Sequence, residues 1–206
     1  FKYIDIKQID QIVKKNDTVI VESTVPVGTT DKIKKILINN NLKENDLKIA
    51  YCPERVLPGN IINELISNDR IVGGINLESN IIIKKIYKNF VKGEIYTTNS
   101  RTAEMIKLTE NSFRDVNIAF ANEISMLSSK LDIDVNEVIR LSNKHPRVNI
   151  LSSGIGVGGH CIPVDPWFLI SQNKMTKLLL AARKVNENKT FFVIKDIEKT
   201  INEYML

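Results

Sequence analysis

Thr18-Val-Ile-Val-Glu-Ser-Thr-Val-Pro-Val-Gly-Thr-Thr30 opens as a short β-branched apolar run and ends in residues suited to begin a helix. A run of this kind is what a strand buried on both faces of a parallel sheet requires, and the Pro26 and Gly28 loop breaks it before the helical spacing of Ile33, Ile36 and Leu37 begins. Thr30 or Asp31 is placed to cap that helix. The β-loop-α pattern then recurs. Leu47 to Tyr51 reads as a strand, Cys52 to Gly59 as a loop, and Asn60 as the cap of a short helix through Ser67; Ile71 to Ile75 and Glu94 to Thr97 are further strands around a helix over 78–90. A first helix precedes them over 3–15. Strands alternating with helices predict a parallel sheet with helices on its faces, whose ligands gather at the C-terminal strand ends, where the loops Ser23 to Thr30 and Cys52 to Gly59 emerge.

After Asn99 the pattern changes. Residues 101–131 hold no glycine or proline and keep apolar positions three and four apart through Met105, Leu108, Phe113, Val116, Phe120, Ile124 and Leu127, which predicts one long helix. A second helix is expected over Asn136 to Asn143, stopped by His145-Pro146, and a third over about 174–204. The expected division is therefore residues 1–99, the C-terminal part of a Rossmann-like sheet domain, and residues 100–206, an all-helical domain. Apolar stripes wider than one neighbour needs predict pairing with a second copy.

Composition excludes several classes. The net charge of +5 comes from dispersed lysines with no basic run, so nucleic acid is not expected as a partner. No apolar run reaches the length of a membrane span, and the two cysteines fit a reducing, cytoplasmic setting. Neither histidine has metal-ligand spacing with Cys161, so no metal is expected.

Between the helices lies Gly154-Ile-Gly-Val-Gly-Gly-His-Cys-Ile-Pro-Val-Asp-Pro166. Four glycines in six residues let backbone approach a ligand and deliver Cys161 as a nucleophile is delivered; the alternative is a glycine-rich turn holding a small buried hydrophobe. Gly154, Gly156 and Gly159 also match the dinucleotide fingerprint, but the polar Asn149 to Ser153 is no strand, and Pro163 and Pro166 interrupt the helix the fingerprint needs. On the long helix Lys107, Asn111 and Arg114 share one face, either a solvated surface or a group turned to the cysteine loop to steady an oxyanion. Glu54 after Pro53 is either a general base at a strand end or a loop carboxylate paired with Arg55. Cys52 reads as a buried structural thiol.

Four of these segments resemble the NAD-dependent nucleotide-sugar 6-dehydrogenases: Glu22-Ser-Thr-Val-Pro-Val-Gly28, Pro53-Glu-Arg-Val-Leu-Pro-Gly59, Ala103-Glu-Met-Ile-Lys-Leu-Thr-Glu-Asn111 and Gly156-Val-Gly-Gly-His-Cys-Ile-Pro-Val-Asp165. They stand in that family's order and spacing, and the last resembles its N-acetylhexosamine branch. The resemblance implies oxidation of a UDP-sugar C6 alcohol to a carboxylate with NAD. It casts Cys161 as the carrier of a thiohemiacetal and then a thioester, Glu54 as the base for hydrolysis, and Lys107, Asn111 and Asp165 as the groups that hold water and steady oxyanions. Thr24 with Cys161 would face the cofactor, and Arg55, Val56, Leu57, Arg147 and Gly158 would contact substrate.

Relatives in that family begin with a strand and G-x-G-x-x-G well before the Ser-Thr-Val-Pro segment and end in a further α/β domain. The chain therefore resembles the middle of such an enzyme, with negligible NAD binding and no activity expected of this piece alone. Two competing readings are a thiol hydrolase pairing Cys161 with His160, which adjacent positions seldom allow, and a non-catalytic dimerisation module.

Overall fold

The alternation of short apolar runs and amphipathic segments is realised as an α/β arrangement. The computed structural model describes residues 6–39, 42–56 and 59–204, and the chain divides into two compact units, residues 1–107 and 108–206.

In the first unit, β1 (Thr18–Val21), β2 (Lys48–Tyr51), β3 (Arg70–Gly74) and β4 (Ile95–Asn99) form, among the described residues, one four-stranded sheet in that order. Four helices accompany it: α1 (Ile6–Ile12), α2 (Thr29–Asn39), α3 (Ile61–Ser67) and α4 (Leu77–Tyr87). Residues 3–5 of the expected first helix lie outside the described residues. Alternation along the strands splits the core in two. Leu47 and Ile49 pack with Ile33 and Leu37 of α2, while Ala50, Cys52 and Val72 pack with Ile83 and Tyr87 of α4. Each buried aliphatic side chain contributes about 1.5–3 kcal/mol.

The sheet differs from a purely parallel one at a single junction. β1 pairs parallel with β2 and β3 with β4, but β2 and β3 are antiparallel, with Ala50 opposite Gly74 and Tyr51 opposite Gly73. The physical reason is α3, none of whose residues is buried. A helix with no buried face does not serve as a packed crossover, so the chain returns from the edge it left. Asn60 stands at the expected cap of α3 but makes no side-chain capping bond. It instead accepts from Asn63 Nδ2 at 2.9 Å.

The remaining elements are α5 (Ser100–Lys130), which begins in the first unit, and α6 (Val135–Ser142), α7 (Asp165–Gln172) and α8 (Lys177–Tyr204) in the second. No helix opens directly after Gly159, and α7 begins only at Asp165, beyond Pro163. Pro166 lies in the first turn, where its missing N–H is no loss and its fixed φ favours the helix.

The inner faces of the long helices match expectation only in part: Leu108 and Ala182 are buried and Val116, Ile124, Leu179, Val185 and Phe192 half-buried, but the rest differs. Phe113, Phe120 and Leu127 of the predicted inner stripe of α5 are exposed, whereas Asn111, Ser112, Asp115, Asn122, Ser125 and Ser128 are buried. On α8, Phe191, Ile194, Ile197 and Ile201 are exposed while Arg183, Asn186 and Lys189 are buried. The second unit thus buries many polar side chains beside Leu108, Ala119, Ala121, Leu169 and Ala182, and leaves large apolar side chains outside. Among the described residues no helix is long and apolar enough to cross a membrane.

Candidate active site

In the first unit the loops after β1 and β2 leave the same edge, because those two strands are parallel. Their pairing continues past the sheet: Cys52 N donates to Val21 O at 2.9 Å and Glu54 N to Glu22 O at 3.3 Å. Glu54 is therefore fixed by backbone before its side chain makes any contact.

Both oxygens of the Glu54 carboxylate accept hydrogen bonds. Oε1 accepts from the amides of Arg55 at 2.7 Å and Val56 at 3.1 Å, and Oε2 accepts from Arg70 Nη1 at 3.4 Å and Nη2 at 3.3 Å. Arg70, at the head of β3, is thus an ion-pair partner of Glu54, and Arg55 contributes its backbone amide. Lys107 Nζ donates to the backbone carbonyl of Glu54 at 2.9 Å, which ties α5 to the base of this loop. Arg70 itself is 4% exposed and stacks over the Tyr87 ring, 5.1 Å to its centre, while Tyr87 Oη donates to Glu22 Oε1 at 2.6 Å. Burial works against the Arg70 charge, but Glu54 and Cys52 favour it and leave its pKa raised. Burial pushes the Cys52 thiol up as well. Cys52 is buried and Cys161 exposed, so the two thiols are physically distinct.

The loop that carries Thr24 is anchored separately. Glu104 of α5, fully buried, accepts from Gly28 N at 2.5 Å, Thr30 N at 2.7 Å and Thr30 Oγ1 at 2.7 Å. Its carboxylate serves the N-terminus of α2, while Thr30 and Asp31, the expected caps, lie inside the first turn. Gly28 takes φ of 93°, which a side chain would strain. The amides of Gly28 and Thr30 are thus occupied, so this loop is no pyrophosphate cradle. Thr24, three residues past the end of β1, is half-buried. Arg55 is exposed and Val56 half-buried, and Leu57 lies outside the described residues.

In the second unit Cys161 caps the turn that opens α7: its carbonyl accepts from Val164 N at 3.1 Å and Asp165 N at 2.9 Å. Asp165 and Asn111 are both buried, and Asn111 Nδ2 donates to Asp165 Oδ2 at 2.5 Å. Asn111 therefore belongs to the cysteine turn and not to a solvated face, while Arg114 is exposed.

Sequence reasoning missed what holds the glycine segment ahead of the cysteine. Leu151 N donates to Asn117 Oδ1 at 2.9 Å, Gly154 N to Asn122 Oδ1 at 2.9 Å, and Thr190 Oγ1 to Ile155 O at 3.0 Å. Asn122 Nδ2 donates to Asn186 Oδ1 at 2.9 Å; Asn186 Nδ2 and Arg183 Nη1 donate to Asp115 Oδ1 at 2.8 and 2.7 Å. A Cβ on Gly156 would lie 2.6 Å from Thr190 Oγ1, so this glycine answers to close packing. Asparagines spaced along a helix face, where apolar residues would serve the core better, are the signal that marks such a seam. Arg147 and Gly158 are exposed, and a Cβ added at Gly158 would meet no atom of the described residues within 4 Å. Among the described residues no three His, Cys, Asp or Glu side chains gather to hold a metal.

Comparison with known proteins places these parts. Residues 3–91 match the NAD binding domain of the UDP-glucose/GDP-mannose dehydrogenase family, which indicates NAD as cofactor, and residues 101–188 match that family's central domain. The UDP-N-acetyl-D-mannosamine dehydrogenase of Campylobacter jejuni is 53% identical over 98% of this chain and 53% of its own length. That of Methanocaldococcus jannaschii is 48% identical over 96% of this chain and 45% of its own. The structure of UDP-D-ManNAc dehydrogenase from Pyrococcus horikoshii superposes with a TM-score of 0.93 at 44% identity, covering 98% of this chain and 49% of that one. The chain thus spans about half the length of the relatives it matches.

Proposed function

The chain belongs to the UDP-glucose/GDP-mannose dehydrogenase family, and on that premise we propose that the protein carrying it oxidises C6 of UDP-N-acetyl-D-mannosamine to the carboxylate through a thioester on Cys161. The observation that carries this reading is the likeness to named UDP-N-acetyl-D-mannosamine dehydrogenases over nearly the whole chain, joined to an exposed thiol on a turn pinned by Asn111 and Asp165.

NAD, when bound, accepts hydride from C6 in each of two oxidations. Everything else falls to side chains of this chain. The first oxidation converts the C6 alcohol to an aldehyde and releases one proton. Cys161 Sγ then bonds to C6, and its proton passes to the carbonyl oxygen to give a thiohemiacetal. The second oxidation removes the remaining C6 hydrogen and the hydroxyl proton, leaving a thioester. Water adds to that carbon, the C6–Sγ bond breaks, and the sulfur keeps the electron pair. Glu54 takes one water proton and passes it to the thiolate, and the other is lost as the acid ionises. Negative charge develops on oxygen at each stage, and an ammonium at Lys107 and an amide at Asn111, four residues apart on α5, are suited to steady it. Thr24 would flank the nicotinamide, and Arg55, Val56, Leu57, Arg147 and Gly158 would contact the nucleotide sugar.

The exposed apolar faces of α5 and α8 support a homodimer through the long helices. The test is stoichiometric: the full-length protein, given UDP-N-acetyl-D-mannosamine and NAD, yields two NADH per sugar. A single NADH per sugar, or turnover only with UDP-N-acetyl-D-glucosamine, refutes the reading or its choice of sugar respectively.

A further inference from the structure

We infer that Arg70 is the positioning residue that fixes the Glu54 carboxylate for thioester hydrolysis, an inference that rests on the role proposed for Glu54 above. Topology supplies the first argument. Because β3 runs antiparallel to β2, with Tyr51 opposite Gly73, the head of β3 lies beyond the last residue of β2, where the Cys52 to Val56 loop begins. A parallel crossover would have started β3 at the other edge and left Glu54 without this neighbour.

The second argument is the division of contacts. Oε1 is held by the amides of Arg55 and Val56, its neighbours in the same loop; Oε2 is held by both Nη atoms of Arg70, on a strand of the sheet. Loop amides alone let the carboxylate move with the loop. The guanidinium fixes its plane against the core. Arg70 is buried to place that fork: it stacks over Tyr87, and Tyr87 is tied in turn to Glu22 at the end of β1. The Glu54 side chain is 36% exposed, so water reaches it although both oxygens accept hydrogen bonds. A buried cation at the head of a strand costs solvation that an apolar residue would not, and Glu54 is the ion-pair partner that offsets part of it, beside Cys52, Tyr87 and the Leu65 carbonyl. The step affected is the one in which water adds to the acyl carbon and the C6–Sγ bond breaks. The two preceding oxidations do not call on Glu54.

The experiment compares full-length wild type, Arg70→Lys, Arg70→Met, Glu54→Gln and Glu54→Gln/Arg70→Lys. Each is mixed rapidly with UDP-N-acetyl-D-mannosamine and NAD and quenched in acid, and the acyl adduct on Cys161 is counted by intact mass. Arg70→Lys keeps the charge but loses the fork. It is expected to slow thioester breakdown about 10- to 100-fold, so that adduct accumulates after an NADH burst, while the rate of the first oxidation changes less than about threefold. The double variant is expected to hydrolyse no more slowly than Glu54→Gln. Wild-type hydrolysis in Arg70→Lys, equal loss of both half-reactions, additivity with Glu54→Gln, or failure of both Arg70 variants to fold by circular dichroism each overturns the inference. A wild-type protein that forms no thioester sinks the parent reading instead.

Discussion

Replacing Arg183 with methionine tests whether the polar interior of the helical unit is what holds the cysteine segment. The Arg183 side chain is 5% exposed and that of Asp115 1% exposed, and they meet at 2.7 Å. Methionine keeps much of the volume and removes the charge. Asp115 Oδ1 would keep its bond from Asn186, whereas Oδ2 already has no partner among the described residues. A buried carboxylate stripped of its cation costs about 3–5 kcal/mol. The pH dependence has a definite sign. Burial raises the Asp115 pKa and Arg183 opposes the rise, so without Arg183 the folded-state pKa climbs further above the unfolded value. Folding then takes up a proton, and the Asp115 contribution is fully present below the unfolded pKa and lost as pH rises through the folded one. The penalty in Arg183→Met is therefore largest at neutral pH and shrinks on acidification. Urea denaturation of the full-length protein at pH 7 and pH 5 reads it directly, with Asp115→Asn/Arg183→Met expected to regain most of the loss. A neutral-pH penalty under about 1 kcal/mol, or one of equal size at both pH values, contradicts the reasoning.

Glu104→Gln keeps the shape but replaces a carboxylate that accepts three donors, and a loss of about 2–3 kcal/mol by thermal denaturation is expected, together with a higher KM for NAD; an unchanged KM with normal stability would remove Glu104 from the Thr24 loop's support. Gly156→Ala puts a Cβ against Thr190 Oγ1 and is expected to cost about 1–3 kcal/mol, which Thr190→Gly relieves in the double variant; no relief would mean the strain lies elsewhere. Brief treatment with iodoacetamide under native conditions is expected to label Cys161 and spare Cys52, whose thiol is buried and pushed up in pKa, and peptide mapping with the opposite result would reverse the assignment of the two cysteines.

Local sequence carried the frame of this fold. β-branched runs gave the positions of β1 and β2, and helical spacing gave α5 and α8, because burial against a neighbour imposes a period on the chain. The antiparallel turn into β3 was not legible, since it depends on α3 failing to bury a face, a property of packing and not of pattern. The inside of α5 was misassigned for a related reason. Phe113 and Phe120 keep helical spacing whichever way they face, and the buried stripe is instead written in Asn111, Asp115 and Asn122, which pair with α7, α8 and the loop that ends in Gly154. Position and helical spacing make Glu54, Lys107 and Asn111 candidates and the family resemblance adds Asp165, while the structure adds contacts that spacing cannot reveal: Lys107 to the Glu54 carbonyl and Asn111 to the Asp165 carboxylate. Arg70 stands just before the strand expected from Ile71 to Ile75, and nothing in that pattern points to Glu54. Only the strand pairing shows Arg70 facing the loop after β2.

The chemistry assigned to Cys161 is open to one direct measurement. Full-length protein is quenched in acid during turnover of UDP-N-acetyl-D-mannosamine with NAD, digested, and its cysteine peptides are weighed beside those of Cys161→Ala. A hexosaminuronyl adduct on the Cys161 peptide, with no carboxylate product from Cys161→Ala, is the predicted result. Carboxylate formed at an undiminished rate by Cys161→Ala, or an adduct on any other residue, contradicts it.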